Sequence, residues 1–222
     1  MDPVELTCDV VLFDLDGTLV DSTPVVDRIW TDLARALGRE PADVVGRFHG
    51  MQAGAAMLMV DPTLTPERVE ELRAYVIAEE LRDLEGVHAI PGAADLVAAL
   101  PADAWAVVTS CPRDLALARL GAAGLPVPAV LVTADDVSAG KPDPAPFALG
   151  AHLAGVDPAR SLAVEDAPAG ITSAQGAGCQ VLGILSTHDT LPVPAVRDLR
   201  AVRVVDASGP LRLAVTPAPS AI

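Results

Sequence analysis

Asp9-Val10-Val11-Leu12-Phe13-Asp14-Leu15-Asp16-Gly17-Thr18 is the stretch from which the rest of the chain can be read. Its first half is a short, continuously apolar run of β-favouring residues, which reads as a strand covered on both faces. The run stops at two carboxylates and a glycine. Strands of this kind belong to parallel sheets, where helical crossovers bury both sides. The same rhythm returns after Pro91. Strands are expected at Trp105–Val108, Ala129–Val132, Ser161–Val164 and Cys179–Leu185, with helices at Pro91–Leu100, Pro112–Gly121, Pro146–Leu153 and Pro168–Ala177. Leu211–Val215 reads as a last strand before a frayed tail. The expected fold is α/β, a Rossmann-like parallel sheet. Between Asp21 and Glu85 there is no β signal. Thr23–Leu37 reads as a helix with Pro24 in its first turn, Ala53–Val60 is rich in Ala and Met, and Thr65-Pro66-Glu67-Arg68 starts a second long helix. This all-helical stretch is an insertion after the first strand.

Composition narrows the function classes. The 222 residues are 51% hydrophobic with a formal net charge of −15. Such a chain buries a core without a disulfide or metal staple. It lacks the clustered cations that nucleic acid or an anionic membrane requires, so neither is an expected partner. No apolar block is long enough for a membrane span, and the acids Asp2 and Glu5 with no basic run do not read as a secretory signal. Cys8, Cys111 and Cys179 show no metal-ligand spacing and read as buried thiols of a reducing, cytoplasmic compartment. Of the 15 basic residues, Lys141 alone is lysine.

In parallel α/β sheets, ligands bind beyond the carboxyl ends of the strands. The polar residues that break the apolar runs fall at that edge: Asp14 and Asp16, Thr109 and Ser110, Glu165 and Asp166. Lys141 lies in a loop before a further strand–helix unit. Each of these taken singly has an ordinary structural reading, as a turn, a helix cap or a solvated lysine. Four together, each at a strand end, call for a joint explanation. Two like charges at about 4 Å cost on the order of 4 kcal/mol at an effective dielectric near 20. A hard divalent cation such as Mg²⁺ relieves that repulsion and takes carboxylate oxygens together with substrate phosphate. A metal, a lysine and a hydroxyl point to phosphoryl transfer.

Asp14-Leu15-Asp16-Gly17-Thr18-Leu19-Val20-Asp21-Ser22 resembles the first motif of the haloacid dehalogenase superfamily of phosphatases. Thr109 is similar to its second motif, Lys141 within Gly140-Lys141-Pro142-Asp143-Pro144 to its third, and Glu165-Asp166 with Ala167-Pro168-Ala169-Gly170-Ile171 to its fourth. The helical insertion resembles the small cap of one subgroup, which implies a core domain of residues 1–20 and 88–222 and a helical cap domain of residues 21–87. The strand Trp105-Ala106-Val107-Val108-Thr109-Ser110 and the last two motifs further resemble the sugar and polyol phosphatases, such as those for glycerol phosphate and 2-deoxyglucose 6-phosphate. The resemblance implies a Mg²⁺-dependent phosphatase acting on a small phosphorylated metabolite, as a monomer or weak dimer.

By the same resemblance Asp14 is the nucleophile that becomes an aspartyl phosphate, and Asp16 the general acid and base. Thr109, the Ser110 amide and Lys141 hold phosphoryl oxygens. The metal falls to Asp14, the Asp16 carbonyl and Asp166, with Glu165 beside them. His49, in a His-Gly pair like that of polyol phosphatases, is a cap candidate for substrate contact. Met51-Gln52-Ala53 stand where those relatives often carry basic residues, so the resemblance does not name glycerol phosphate itself. His88, His152 and His188 have no partner pattern and read as surface residues, Cys111 is not expected as a nucleophile, and the Met51–Met59 run reads as cap core. The alternative is a β-phosphoglucomutase-like isomerase. Such mutases carry a histidine at the position aligned with Val26, and often Val in place of Thr18, so hydrolysis leads. A non-catalytic relative would be expected to have lost the Asp14 nucleophile.

Overall fold

The computed structural model describes residues 3–46 and 51–218. Strand β1 (Val4–Cys8) turns at Asp9 into β2 (Val10–Phe13), all four of whose residues are buried. Next come β3 (Val20–Asp21), the helices α1 (Thr23–Ala36), α2 (Ala53–Val60) and α3 (Pro66–Arg82), and β4 (His88–Ala89), which pairs antiparallel with β3. From there α4 (Ala93–Ala99), β5 (Trp105–Val108), α5 (Arg113–Ala122), β6 (Val130–Val132), α6 (Ala145–Leu153), β7 (Ser161–Glu165), α7 (Pro168–Ala177) and β8 (Gln180–Ile184) alternate. The last strands are β9 (Ala195–Val196), β10 (Val202–Asp206) and β11 (Leu211–Val215).

The helix boundaries follow local chemistry. At α3, Thr65 Oγ1 accepts from the Arg68 amide at 3.3 Å and Pro66 occupies the first turn, where no amide is needed. Gly178, at φ 91°, ends α7 in the left-handed region.

The main sheet is parallel throughout, in the order β6-β5-β2-β7-β8-β9. Strand β2 sits at its centre, Val11 opposite both Trp105 and Leu162. Because β5, β2 and β7 run side by side, their carboxyl ends, and the polar residues that follow, lie along one edge. Side chains alternate between two buried layers. Val11, Phe13, Trp105, Val107, Leu162 and Val164 face α4, α5 and the helical segment. Val10, Leu12, Ala106, Val108 and Ala163 face α6 and α7 through Phe147, Ala151 and Ala174. Phe13 and Trp105 meet edge to face, 6.5 Å between ring centres. The second layer uses small residues, which lets its helices approach closely.

The parallel α/β sheet matches the expectation, as do the helices of the insertion. Five strands went unread: β1, β9, β10 and the short pair β3 and β4. β1, β10 and β11 form a separate antiparallel sheet, of which only β11 was expected, and β9 adds a two-residue edge. Val4–Leu6 and Arg203–Asp206 are largely exposed or half-buried, so they lack the apolar continuity that marked the central strands. Among the described residues no helix is long and apolar enough to cross a membrane.

Close packing on the second layer predicts one sign. A Cβ on Gly150 of α6 would lie 2.7 Å from Val108 Cγ2. The overlap at 2.7 Å costs up to about 3 kcal/mol against the roughly 1 kcal/mol that alanine contributes in a helix, so Gly150→Ala is expected to be destabilising by up to about 2 kcal/mol net. Adding Val108→Ala should recover part of the loss in urea unfolding. An unchanged or raised midpoint for Gly150→Ala alone would contradict the packing.

Candidate active site

The centre begins where β2 ends. The Asp14 amide still donates to the Val164 carbonyl at 2.9 Å, so Asp14 is the last residue locked to β7. The chain then turns on itself. The Gly17 amide donates to Val20 O at 2.7 Å, and the Leu19 and Val20 amides donate to Leu15 O at 2.9 Å. Leu15, Leu19 and Val20 are buried and pin the turn. Gly17 adopts φ 84°, and a Cβ there would strike the Asp166 carboxylate, so both backbone and space require glycine.

Lys141 is sealed at the middle of the site, its side chain 0% exposed. Its Nζ donates to Asp14 Oδ1 at 2.5 Å and to Glu165 Oε1 at 2.7 Å, and lies 5.0 Å from the centre of the Phe147 ring. Burial works to lower the lysine, but Asp14 and Glu165 outweigh it and keep the ammonium above its ordinary value. Burial pushes Asp14 up to about 7, with Lys141 pulling the other way. Both Glu165 oxygens are engaged: Oε1 receives Lys141 and Oε2 receives the Ala167 amide at 2.8 Å. Gly170 must lack a Cβ because one would overlap the Glu165 carboxylate. Ser173 of α7 donates to Asp143 O at 2.5 Å and steadies the loop that delivers Lys141.

Asp166 follows directly. Its Oδ1 accepts from Thr18 at 3.3 Å and its Oδ2 from Thr187 at 2.5 Å. Burial raises it well above the usual carboxylate range, and Glu165 and Asp14 add to that. Oxygens of Asp14, Glu165 and Asp166 lie within 4.8 Å of one another. Asp14 Oδ2 is buried with no hydrogen-bond partner. An orphaned carboxylate oxygen among other hard oxygen donors is what a divalent cation would satisfy.

Asp16 stands beside this cluster. Ser22 Oγ donates to its Oδ1 at 2.7 Å, and Arg119 Nη1 donates to its Oδ2 at 2.7 Å. Arg119, from α5, also donates through Nη2 to Glu80 Oε2 of α3 at 2.9 Å. Arg119 and Glu80 are both buried. Burial raises the Glu80 carboxyl while Arg119 pulls it back. Thr109 follows β5; its amide donates to Val132 O at 2.9 Å and its Oγ1 accepts from the Cys111 amide at 3.2 Å. A cavity of about 400 Å³ opens over these groups, lined by Asp14, Asp16 and Thr109 from the sheet edge and Val26, Gln52 and Glu80 from the helical segment. Gln52 leans on the lysine loop: a Cβ on Gly140 would lie 2.5 Å from its Nε2.

The structure thus brings together Asp14, Asp16, Thr109, Ser110, Lys141, Glu165 and Asp166. His49 lies outside the described residues. His88 and His152 are exposed, as expected, but His188 is half-buried with Nδ1 3.0 Å from Thr187 Oγ1, at the rim of the carboxylate cluster. Cys111 is buried and pushed up to about 12 by that burial, which leaves it a poor nucleophile. In the Met51–Met59 run, Met57 is core, Met51 lines the cavity and Met59 is exposed. Sequence reading missed Arg119, Glu80 and Thr187. Each lies on an unremarkable helix or loop, and only the tertiary fold carries it to the site.

A family model described as haloacid dehalogenase-like hydrolase matches residues 8–178. The chain is 42% identical to hexitol phosphatase A of Escherichia coli (strain K12), covering 83% of this chain and 87% of that one. It is 35% identical to glycerol-1-phosphate phosphohydrolase 2 of Saccharomyces cerevisiae, covering 84% and 78% respectively. Among solved structures, a hydrolase from Pseudomonas syringae superposes with a TM-score of 0.73 at 29% identity, covering 81% of this chain and 85% of that one.

The sealed lysine makes a sharp prediction. Lys141→Met leaves Asp14 and Glu165 buried without their cation and should cost roughly 3–5 kcal/mol of stability. Lys141→Arg keeps the charge but forces a larger planar head into a closed space, and should cost about 1–3 kcal/mol. Denaturant unfolding measures both. A Lys141→Arg protein as stable as the parent would show that the site is not closed around the ammonium.

Proposed function

The chain belongs to the haloacid dehalogenase-like hydrolases, and from that premise we propose that it is a Mg²⁺-dependent phosphatase of a small phosphorylated sugar or polyol. The observation that carries this reading is Asp14, buried at the cavity floor with one oxygen on Lys141 and the other unpartnered. The relatives named for hexitol phosphates and glycerol 1-phosphate support the substrate class. We take residues 1–20 and 88–222 as the catalytic core and residues 21–87 as a cap. The β3–β4 ladder supports that division, since the helical segment leaves and re-enters the chain there.

Asp14 attacks phosphorus, and the bond to the leaving alkoxide breaks as an aspartyl phosphate forms. Asp16 gives its proton to that alkoxide. It then takes a proton from the water that attacks the acyl phosphate, which releases inorganic phosphate and regenerates Asp14. Ser22 and Arg119 fix the orientation of Asp16. Lys141 has three donors and spends two on Asp14 and Glu165, so its third is free for a phosphoryl oxygen. Thr109 and Ser110 complete the cradle at the cavity wall. Glu165, with both oxygens engaged, anchors Lys141.

Mg²⁺ suits the all-oxygen donor set and the orphaned Asp14 oxygen; Asp14, Asp166 and the Asp16 carbonyl would hold it. When bound, it supplies charge neutralisation for carboxylates and phosphate together.

Phosphate release from a panel of phosphorylated sugars, polyols and glycolate tests the reading. Activity should vanish on chelation and return with Mg²⁺, and β-glucose 1-phosphate should not become glucose 6-phosphate. Efficient isomerisation with little phosphate release would establish the mutase instead. Val26, which lines the cavity where the mutases carry histidine, is the reason to expect hydrolysis.

Asp14→Asn should abolish phosphoenzyme and turnover. Asp16→Asn should lose roughly 10²–10⁴-fold on an alkyl phosphate, and less in the first step on an aryl phosphate, whose phenolate needs little protonation. Trapping of the covalent intermediate on both substrates separates the two roles. Phosphoenzyme in Asp14→Asn would refute the nucleophile assignment.

A further inference from the structure

The mechanism uses one face of Arg119, the face turned to Asp16. The rest of that guanidinium is unexplained. Arg119 Nη2 is bound to Glu80, while Nε is buried and has no hydrogen-bond partner. Both residues line the cavity, Arg119 3% and Glu80 6% exposed. Glu80 gives Oε2 to Arg119, which leaves Oε1 to accept from a ligand. A buried N–H without an acceptor is costly, and here it sits one guanidinium away from the carboxylate that faces the leaving group.

The charge of this corner also matters. One guanidinium answers two carboxylates, Asp16 and Glu80, so the trio is neutral while Asp16 holds its proton and net negative once that proton is given up, and Glu80 keeps an acceptor oxygen toward the cavity throughout. Arg73, which also lines the cavity, is bound in bidentate fashion to Glu70 at 2.6 and 2.8 Å. Among the described lining residues, no cation stands free on the leaving-group side. Such a surface offers a donor and an acceptor to alcohols and repels a second anion.

We propose that Glu80 and Arg119 form a specificity-determining subsite that hydrogen-bonds hydroxyls of the leaving group and rejects phosphate esters carrying a carboxylate or second phosphate there. The proposal rests on the phosphatase reading and adds to it the selection rule. Glu80 Oε1 accepts one hydroxyl and Arg119 Nε donates to another, a pattern that a vicinal diol satisfies. Arg119 is in addition a positioning residue for Asp16, so hydroxyl recognition and orientation of the proton donor share one side chain.

The test compares substrates that differ only by CH₂OH against COO⁻. Glycerol 1-phosphate is set against 3-phosphoglycerate, and glucitol 6-phosphate against 6-phosphogluconate. p-Nitrophenyl phosphate, which has neither group, reports whether the phosphatase chemistry is present. The parent should favour the alcohol of at least one pair by roughly 100-fold or more in kcat/KM. Glu80→Gln should narrow that ratio by about ten-fold or more, chiefly by admitting the acid with a lower KM, while Glu80→Asp, which keeps the charge, should retain most of it. A parent that hydrolyses both members of each pair equally overturns the proposal without any variant. So does p-nitrophenyl phosphate turnover with no activity on either alcohol, or a folded Glu80→Gln protein whose ratio is unchanged. No release from p-nitrophenyl phosphate with Mg²⁺ present would instead overturn the phosphatase reading.

Discussion

The ammonium of Lys141 is the charge on which the centre of this molecule depends. Asp14, Glu165 and Asp166 are all buried within a few ångströms of one another, and unneutralised carboxylates do not survive that deep. The lysine binds two of them, and the third leans on Thr18 and Thr187. Three parallel strands must end at the same level for this to happen, since Asp14 follows β2, Glu165 ends β7 and Thr109 follows β5. The parallel register is therefore also the register of the site. Gly17 and Gly170 are the steric counterpart, one admitting Asp166 and the other Glu165 to positions that any side chain would block.

Arg119 adds a second buried ion network, and it differs in kind. The Lys141 network ties together residues that end or follow strands of the main sheet, whereas Arg119 joins α5 to α3 of the helical segment through Glu80. A pair of this sort is weak evidence for stability, because desolvation takes back most of its Coulomb attraction. Its value lies in direction. It fixes where Asp16 points and where α3 lies over the cavity at the same time, and either change would be felt at the other.

Much of this was legible in the residues themselves. The central strands declared themselves because each is apolar throughout, and the site because its residues interrupt those runs at one edge. Thr65 and Pro66 marked the start of α3 by ordinary capping chemistry. β1 and β10 gave no comparable signal, being edge strands of a small sheet whose residues are largely exposed or half-buried. Arg119 looked like any arginine in the last turn of an amphipathic helix, and Glu80 like any acid in a helix rich in them. What makes them special is the absence of water around them, and that arises from packing between segments far apart in the chain. His188 was read as unpartnered for the same reason: its neighbour Thr187 acquires a role only once β8 has delivered it to Asp166.

A chain with fourteen arginines and one lysine, and that lysine entirely enclosed, has an unusual chemical surface. Guanidinium groups carry its exposed positive charge, and these are inert to most reagents that acylate or reductively alkylate amines. The single ε-amine is shielded by Phe147 and kept protonated by two carboxylates. Side-chain modification by an amine-directed reagent can then occur at one position only, and only while the site is open. The extent of labelling at that position becomes a direct gauge of how often the centre is exposed to solvent, with no background from any other lysine.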